Sequence, residues 1–435
     1  MIAFVAHQIG VPAAIFADYA DRDQTRRGHA VELQKYLGLR SFGLNDWRSS
    51  LRIGCDVAWA TDRGEPIILA ILAHLRTIGV VLPPAMVLER IGLAARAQAR
   101  KKTFEALATG MSDAERAALT ELLTVDPELR RSRFAWLRDY SESPAPSNIV
   151  SLLDRLEYVR ALGIDPARTG QIHAARLARL TDEGAIMTVQ HIADLEPTRR
   201  TAILIAQIAS LETRLTDATL AMFEKYVGTL FSRARNRDER RFQATRRDVA
   251  KALLLFRRTI AALRQAQEDG EDGVSVIERE IGMDHLEGVL PIIGAVADVA
   301  DQDILVTAAE RYSVLRRFSP RFLAALDFRS NAPNDPVLVA LELLRALSRG
   351  TIRTLPKRPP SAFLPPQWRK LIFASGTVDR RLYETAVLAV LRDKLRGSNI
   401  WVAGSRDYQA FETYLLPAGT GTATGVDGET DPNRY

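Results

Sequence analysis

The residues best suited to chemistry in this sequence are arginines, and they are spaced to hold phosphate. Between Arg233 and Arg264 the run RARNRDERRFQATRRDVAKALLLFRRTIAALR carries eleven Lys or Arg and only three acids, Asp238, Glu239 and Asp248. At about 100° per residue on a helix, Arg233, Arg237, Arg240, Arg247, Lys251 and Arg258 fall within an arc of roughly 80°. Phe242, Val249, Leu253, Phe256 and Ile260 cluster opposite them, so one face is expected to pack and the other to present cations. A guanidinium donates hydrogen bonds in pairs to phosphate oxygens, and a row of them follows a nucleic-acid backbone, contributing affinity without reading bases. The plain alternative is a solvated face whose arginines are paired with acids from elsewhere in the chain.

A second grouping opens the run QTRRGHAVELQ, where Thr25, Arg26 and Arg27 stand at the start of an expected helix whose Leu33 and Leu37 face inward. Helix N-termini attract phosphate, which makes these residues candidate DNA contacts; a cap followed by surface arginines is the alternative. Trp47, Arg48 and Arg52 add a similar group nearby. Other chemistries find no support. His7, His29, His74, His173, His191 and His285 are scattered, and none forms the HxxxH or HExxH spacing that would put two imidazoles on one metal. Neither a GxSxG nucleophile elbow nor a GxxxxGK[ST] phosphate loop occurs, and the GTGTATG of the tail has the wrong glycine spacing for a dinucleotide fingerprint. No catalytic residue, metal or cofactor is therefore assigned.

The elements that must position these arginines are helical. Apolar residues make up 47% of the 435, aromatics 7% and charged residues 26%, and 59 Lys and Arg face 53 acids. Rich in Leu, Ala and Arg, this mixture favours an all-α, multi-module helical array with one long basic amphipathic helix. Asn45 or Asp46 is a candidate cap before Trp47, and SDAE at 112–115 matches a capping box. From about Asp217 to Gln267 there is no proline and only Gly228, which predicts the long helix. SESPAPSN at 141–148 reads as a linker, and LPKRPPSAFLPPQW, with five prolines, as an extended one. NIWVAGSRDYQAFETYLLP mixes a strand-like with a helical run. Residues 1–148, 149–330 and 331–417 are the expected modules, followed by a disordered tail at 418–435. Cys55 stands alone, and no leader-like start or apolar run of about 18 residues is present, which points to a cytoplasmic protein with no membrane segment.

Several segments in order carry a resemblance. DYADRDQTRRGHAVELQKYLGLRSF (18–42), RFAWLRDYSESPAPSNIVSLLDRLEYVRALGI, GTLFSRARNRDERRFQATRRDV, ERYSVLRRFSPRFLAAL, AFLPPQWRKLIF and DRRLYETAVLAVLRDKLRGSNIWVAGSRDYQAFETYLLP resemble, in register over residues 1–417, the amino-terminal half of the class II replicative transposases, the Tn-three family. The resemblance implies helical modules that recognise the terminal inverted repeats of a transposon. It also implies that the family's metal-binding acid triad, in a ribonuclease-H-like domain, lies downstream of the equivalent of Leu416. The expectation is thus a truncated transposase portion, lacking the start of its first module and its catalytic domain, that binds double-stranded DNA. A homodimer or an intact transposase is a further expected partner. The competing readings are a helical interaction scaffold and a protein that interferes with intact transposase.

Overall fold

The computed structural model describes residues 2–15, 23–300 and 303–415, excepting the side chains of 2, 242, 244–247 and 292–300. Helices dominate it, as the composition implies. Among the described residues the strands form two short antiparallel pairs, Val125–Asp126 with Arg131–Ser132 and Phe328–Ser330 with Ile400–Val402. The tail expected to be disordered, 418–435, lies outside the described residues. Two compact units divide the chain. Residues 1–136 and 162–210 form the first; residues 137–161 and 211–435 form the second. The Ser and Pro segment 141–148 falls within the second unit, where Pro146–Ala161 is helical.

The first unit is organised around three helices, Leu44–Ala60, Gly64–Thr77 and Ala85–Ala108. Ile67, Ile71 and Leu75 recur every four residues and are fully buried against Ala58, Ile91 and Ala95. Gly54 permits the close crossing: a Cβ there would stand 3.0 Å from that of Ala95 and 3.3 Å from Ile71 Cδ1. The helix expected to be capped by Asn45 or Asp46 begins at Leu44, with Gly43 as its cap residue. Asp46 does cap, but from inside the first turn. Its carboxylate accepts from the Gly43 amide at 2.9 Å and from both ends of the Arg40 guanidinium at 2.7 and 2.5 Å. The SDAE capping box forms: Ser112 Oγ accepts from the Glu115 amide at 3.2 Å, and the Glu115 carboxylate accepts from the Ser112 amide at 2.7 Å. One expectation fails in the helix Asp23–Tyr36, where Leu33, Tyr36 and Leu37 are 59%, 87% and 62% exposed. They share a face, but no other described element covers it.

The long helix runs from Pro197 to Asp269, 73 residues, some twenty residues earlier than the sequence suggested. Pro197 occupies a position where a missing amide hydrogen costs nothing, and the Glu196 carboxylate accepts from the amides of Thr198 and Arg199, both at 3.0 Å. Gly270 stops it at φ +69°, a left-handed conformation that glycine adopts without steric penalty.

Within the second unit, Phe223 on this helix stacks on Phe322 at 4.3 Å and meets Phe318 edge-on at 6.5 Å. The helix Arg380–Arg396 is buried along Tyr383, Ala386, Val387 and Leu391, and Asp379 caps it by accepting from the amides of Arg381 and Leu382. The proline-rich stretch is non-helical as far as Pro365, its last three residues opening the helix Pro366–Ile372, and it is tied down. Leu364 is buried, and Tyr383 donates from its hydroxyl to the Pro360 carbonyl at 2.8 Å. The strand-like IWV pairs with Phe328–Ser330, and Phe411–Tyr414 is a short 3-10 helix. The loop after the strand is fixed to the long helix by Asp217, whose Oδ1 accepts from Ser405 Oγ at 2.6 Å and from the Arg406 amide at 3.0 Å.

Candidate nucleic-acid interface

In the first unit, Thr25, Arg26 and Arg27 lie on the first turns of Asp23–Tyr36 and are exposed. Thr25 sits inside the helix rather than at its cap position, and Arg26 approaches Asp23 at 4.0 Å. Arg48 and Arg52, one turn apart on Leu44–Ala60, are exposed on the face away from Gly54 and Ala58, while Trp47 packs on the core.

The same unit holds a denser arginine cluster that the sequence reading did not single out. Asp62, just after the helix Leu44–Ala60, receives Arg100 at 2.7 Å, Arg176 at 3.3 Å and Arg96 at 3.6 Å. Arg176 is 5% exposed and also donates to the carbonyls of Ala58 and Thr61, the last turn of that helix. This is a structural clamp: a cation placed on the negative end of a helix dipole, held by a shared carboxylate. Burial pushes the Asp62 carboxyl up, but the hydrogen bond from Arg100 and the charges of Arg100, Arg176 and Arg96 outweigh it and hold it below the usual carboxylate range. A carboxyl with a lower pKa in the folded chain than its unfolded value of about 3.9 stabilises the fold above that pH. Its contribution disappears as pH falls through the folded value. The first unit of wild type should therefore lose stability on acidification below about pH 4, and Asp62→Asn should flatten that dependence in circular-dichroism melts.

In the second unit the basic row lies on one continuous helix. Arg233, Arg240, Lys251 and Arg258 are exposed; the Arg247 side chain lies outside the described residues. Arg237 differs, being half-buried and ion-paired with Glu310, so the alternative of compensation by distant acids is realised at that position. Lys251 comes within 3.8 Å of Asp248. Lys251 and Arg258 line a cleft with Asp284 and His285 of the helix Met283–Ala300.

The face that packs is not the one the large apolar residues mark. Leu253, Phe256 and Ile260 are 63%, 62% and 49% exposed, whereas Ala252, Leu255, Ala262 and Ala266 are buried. Ala262 and Ala266 pack against Val276 of the short helix Gly273–Glu280. On the helical wheel this face is displaced only about 60° from the basic row, not opposite it. Phe242 lies among the side chains that are not described.

Two further cations, Arg311 and Arg317, stand near the start of the row from outside the helix. Tyr226, two turns before Arg233 and on the same face, meets Phe318 edge-on at 5.6 Å. Burial pushes its phenol up, against the opposing pull of Arg311, Arg233 and Arg317. Arg311 and Arg317 lie in ERYSVLRRF. Nothing in its local pattern says that it docks on residues 226–238.

The arrangement is that of a predominantly helical protein with exposed guanidinium groups carried on its helices. Nearly the whole chain aligns with transposases of the Tn-three family. It is 32% identical over 413 residues to the transposase for transposon Tn21 of Escherichia coli, covering 95% of this chain and 42% of the relative. It is likewise 32% identical over 418 residues to the transposase for transposon Tn501 of Pseudomonas aeruginosa, covering 96% and 42%. With the transposase for transposon Tn1546 of Enterococcus faecium it shares 26% over 424 residues, covering 97% and 43%. The chain thus spans less than half the length of the curated relatives it matches. Residues 1–95 match the model described as "Domain of unknown function (DUF4158)". No helix among the described residues is long and apolar enough to cross a membrane.

Proposed function

We propose that this chain binds duplex DNA at transposon terminal inverted repeats, as the recognition portion of a transposase acting in DNA transposition in the cytoplasm. The observation that carries this reading is the row of exposed cations, Arg233, Arg240, Lys251 and Arg258, on one face of an uninterrupted helix. Its near full-length similarity to transposases supports the same conclusion. Arg26, Arg27, Arg48 and Arg52 supply further backbone contacts from the first unit. Strand cleavage and joining belong, on this reading, to the part of the relatives that this chain does not cover.

Selection of duplexes from a randomised pool, followed by binding titrations against the selected and the scrambled sequence, tests the reading. The selected duplex should bind more tightly, with affinity falling steeply as salt rises. Replacing Arg240, Lys251 and Arg258 together by Gln should lower the salt slope by roughly 2.7 on both duplexes, at about 0.9 per phosphate contact. Equal, salt-insensitive binding to both would count against it.

The exposed Leu253, Phe256 and Ile260 favour a second reading, a helical scaffold that docks a partner helix, a second copy of the chain or an intact transposase. Interference with an intact transposase follows from it. Unchanged transposition frequency on co-expression would dismiss that role.

A further inference from the structure

Three contacts pin the segment around Ile304–Ala309 and Tyr312–Leu315 along residues 226–238 of the long helix. Thr307 Oγ1 donates to Asp238 Oδ1 at 2.7 Å, Glu310 pairs with Arg237, and the Phe318 ring stands against Tyr226 at 5.6 Å. Arg311 follows Glu310 and Arg317 precedes Phe318, so both are held alongside residues 226–238, where their charges and that of Arg233 act together on the Tyr226 phenol. All three arginines are exposed, and none has an ion pair among the described residues. The acid nearest in sequence, Glu310, is already engaged by Arg237. Like charges near one another repel, and an anion seated among them removes that repulsion. The Tyr226 phenol lies within the field of all three guanidinium groups and offers a hydroxyl donor beside them.

We propose that Arg233, Arg311 and Arg317 form a clamp for a phosphodiester group of duplex DNA, assembled from the long helix and the segment docked on it. The proposal rests on the reading that the chain binds duplex DNA, and it adds a site at which two separate stretches of sequence grip the backbone. Guanidinium forks on two elements can approach one phosphate from different directions, which a single helical row cannot do. The clamp fixes register and orientation and reads no base.

The test uses the full chain, a selected duplex and a scrambled duplex, with binding followed by fluorescence anisotropy over a range of salt concentrations. Arg311→Gln with Arg317→Gln should reduce the salt slope by up to roughly 0.9, the share of one phosphate, on both duplexes alike, which amounts to about fivefold weaker binding at 0.15 M salt relative to a 1 M reference. Arg311→Lys with Arg317→Lys keeps the charge and should retain most of the slope while losing part of the affinity, because the paired donors are gone. Arg329→Gln, which removes an exposed cation already paired with Asp327 and takes no part in pinning the segment, should alter the slope far less. Circular-dichroism melts within a degree or two of wild type would show that the exposed substitutions leave the fold intact. A Gln pair with wild-type slope and affinity overturns the clamp and leaves the binding reading standing. A wild-type chain that binds neither duplex at low salt overturns both.

Discussion

Replacing Asp62 by Ala should cost about 3–5 kcal/mol of stability in the first unit, because it leaves Arg176 buried with carbonyl partners only, among two other arginines. The order of effects within this cluster is more informative than any one of them. Arg176 is held below its ordinary pKa by burial, which the Asp62 charge opposes and the charges of Arg100 and Arg96 reinforce. Removing Arg176 therefore relieves a like-charge crowd, and Asp62 keeps Arg100 at 2.7 Å as a partner. What Arg176→Met loses is the donor that covers the carbonyls of Ala58 and Thr61, a penalty of roughly 1–3 kcal/mol for the buried Ala58, Thr61 being only half-buried. Asp62→Ala should accordingly be the more damaging change, and Asp62→Ala combined with Arg176→Met should recover part of the loss. Hydrogen exchange over residues 44–60 and 174–186 reads this directly, since the cluster joins the end of one helix to the face of the other. A larger loss from Arg176→Met than from Asp62→Ala would show that the cation's hydrogen bonds, not the carboxylate's charge, hold the cluster.

That cluster also marks the limit of what the sequence makes legible. Asp62 and Arg176 are 114 positions apart, and nothing local to either distinguishes it from a surface charge. The same holds for the pairing of Phe328–Ser330 with Ile400–Val402, and for Arg311 and Arg317, which gain significance only where their segment docks. Features with a local cause were readable. Uninterrupted residues without proline make the body of the long helix unavoidable, and Ser112 with Glu115 closes its box because both partners lie within one turn.

The errors have a physical pattern. Large apolar residues at 253, 256 and 260 suggested the buried face, but Ala262 and Ala266 let the helix Gly273–Glu280 approach more closely than Leu or Phe would. Shape complementarity, not the centre of hydrophobicity, chose the face. A Cβ on Gly273 would come within 3.0 Å of Leu263 Cδ2, which shows how tightly that approach is drawn. Leu33, Tyr36 and Leu37 have the right spacing for a core face, yet no described element supplies its other half. Of the candidate contacts, the exposed members of the row and of the two amino-terminal groups are placed as their helical spacing dictates. Arg237 departs because its compensating acid comes from residue 310.

Phe318→Ala should destabilise the second unit by about 3–5 kcal/mol, and it bears on function as well as folding. Phe318 is fully buried and meets three rings edge-on, Phe223 at 6.5 Å, Tyr226 at 5.6 Å and Phe322 at 6.4 Å. Such pairs are worth roughly 0.5–1.5 kcal/mol each beyond the area they bury, so the loss belongs near the top of the range for a ring truncation. Phe318→Leu keeps most of the volume and should cost markedly less, with the difference reporting the ring contacts themselves. The consequence for binding follows from chain geometry. Arg317 is bonded to Phe318, and once that ring no longer anchors it at Tyr226, the Thr307–Asp238 hydrogen bond, the Arg237–Glu310 pair and the Phe223–Phe322 stack still hold the segment alongside the helix, but Arg317 has lost its nearest anchor. Phe318→Leu should then remain folded while losing DNA affinity with little change in the number of cations available. Its salt slope should lie closer to wild type than that of the Arg311 and Arg317 Gln pair, because its arginines still carry charge. Comparing the two slopes at matched stability, with hydrogen exchange over residues 304–325 as the structural readout, separates loss of charge from loss of its placement.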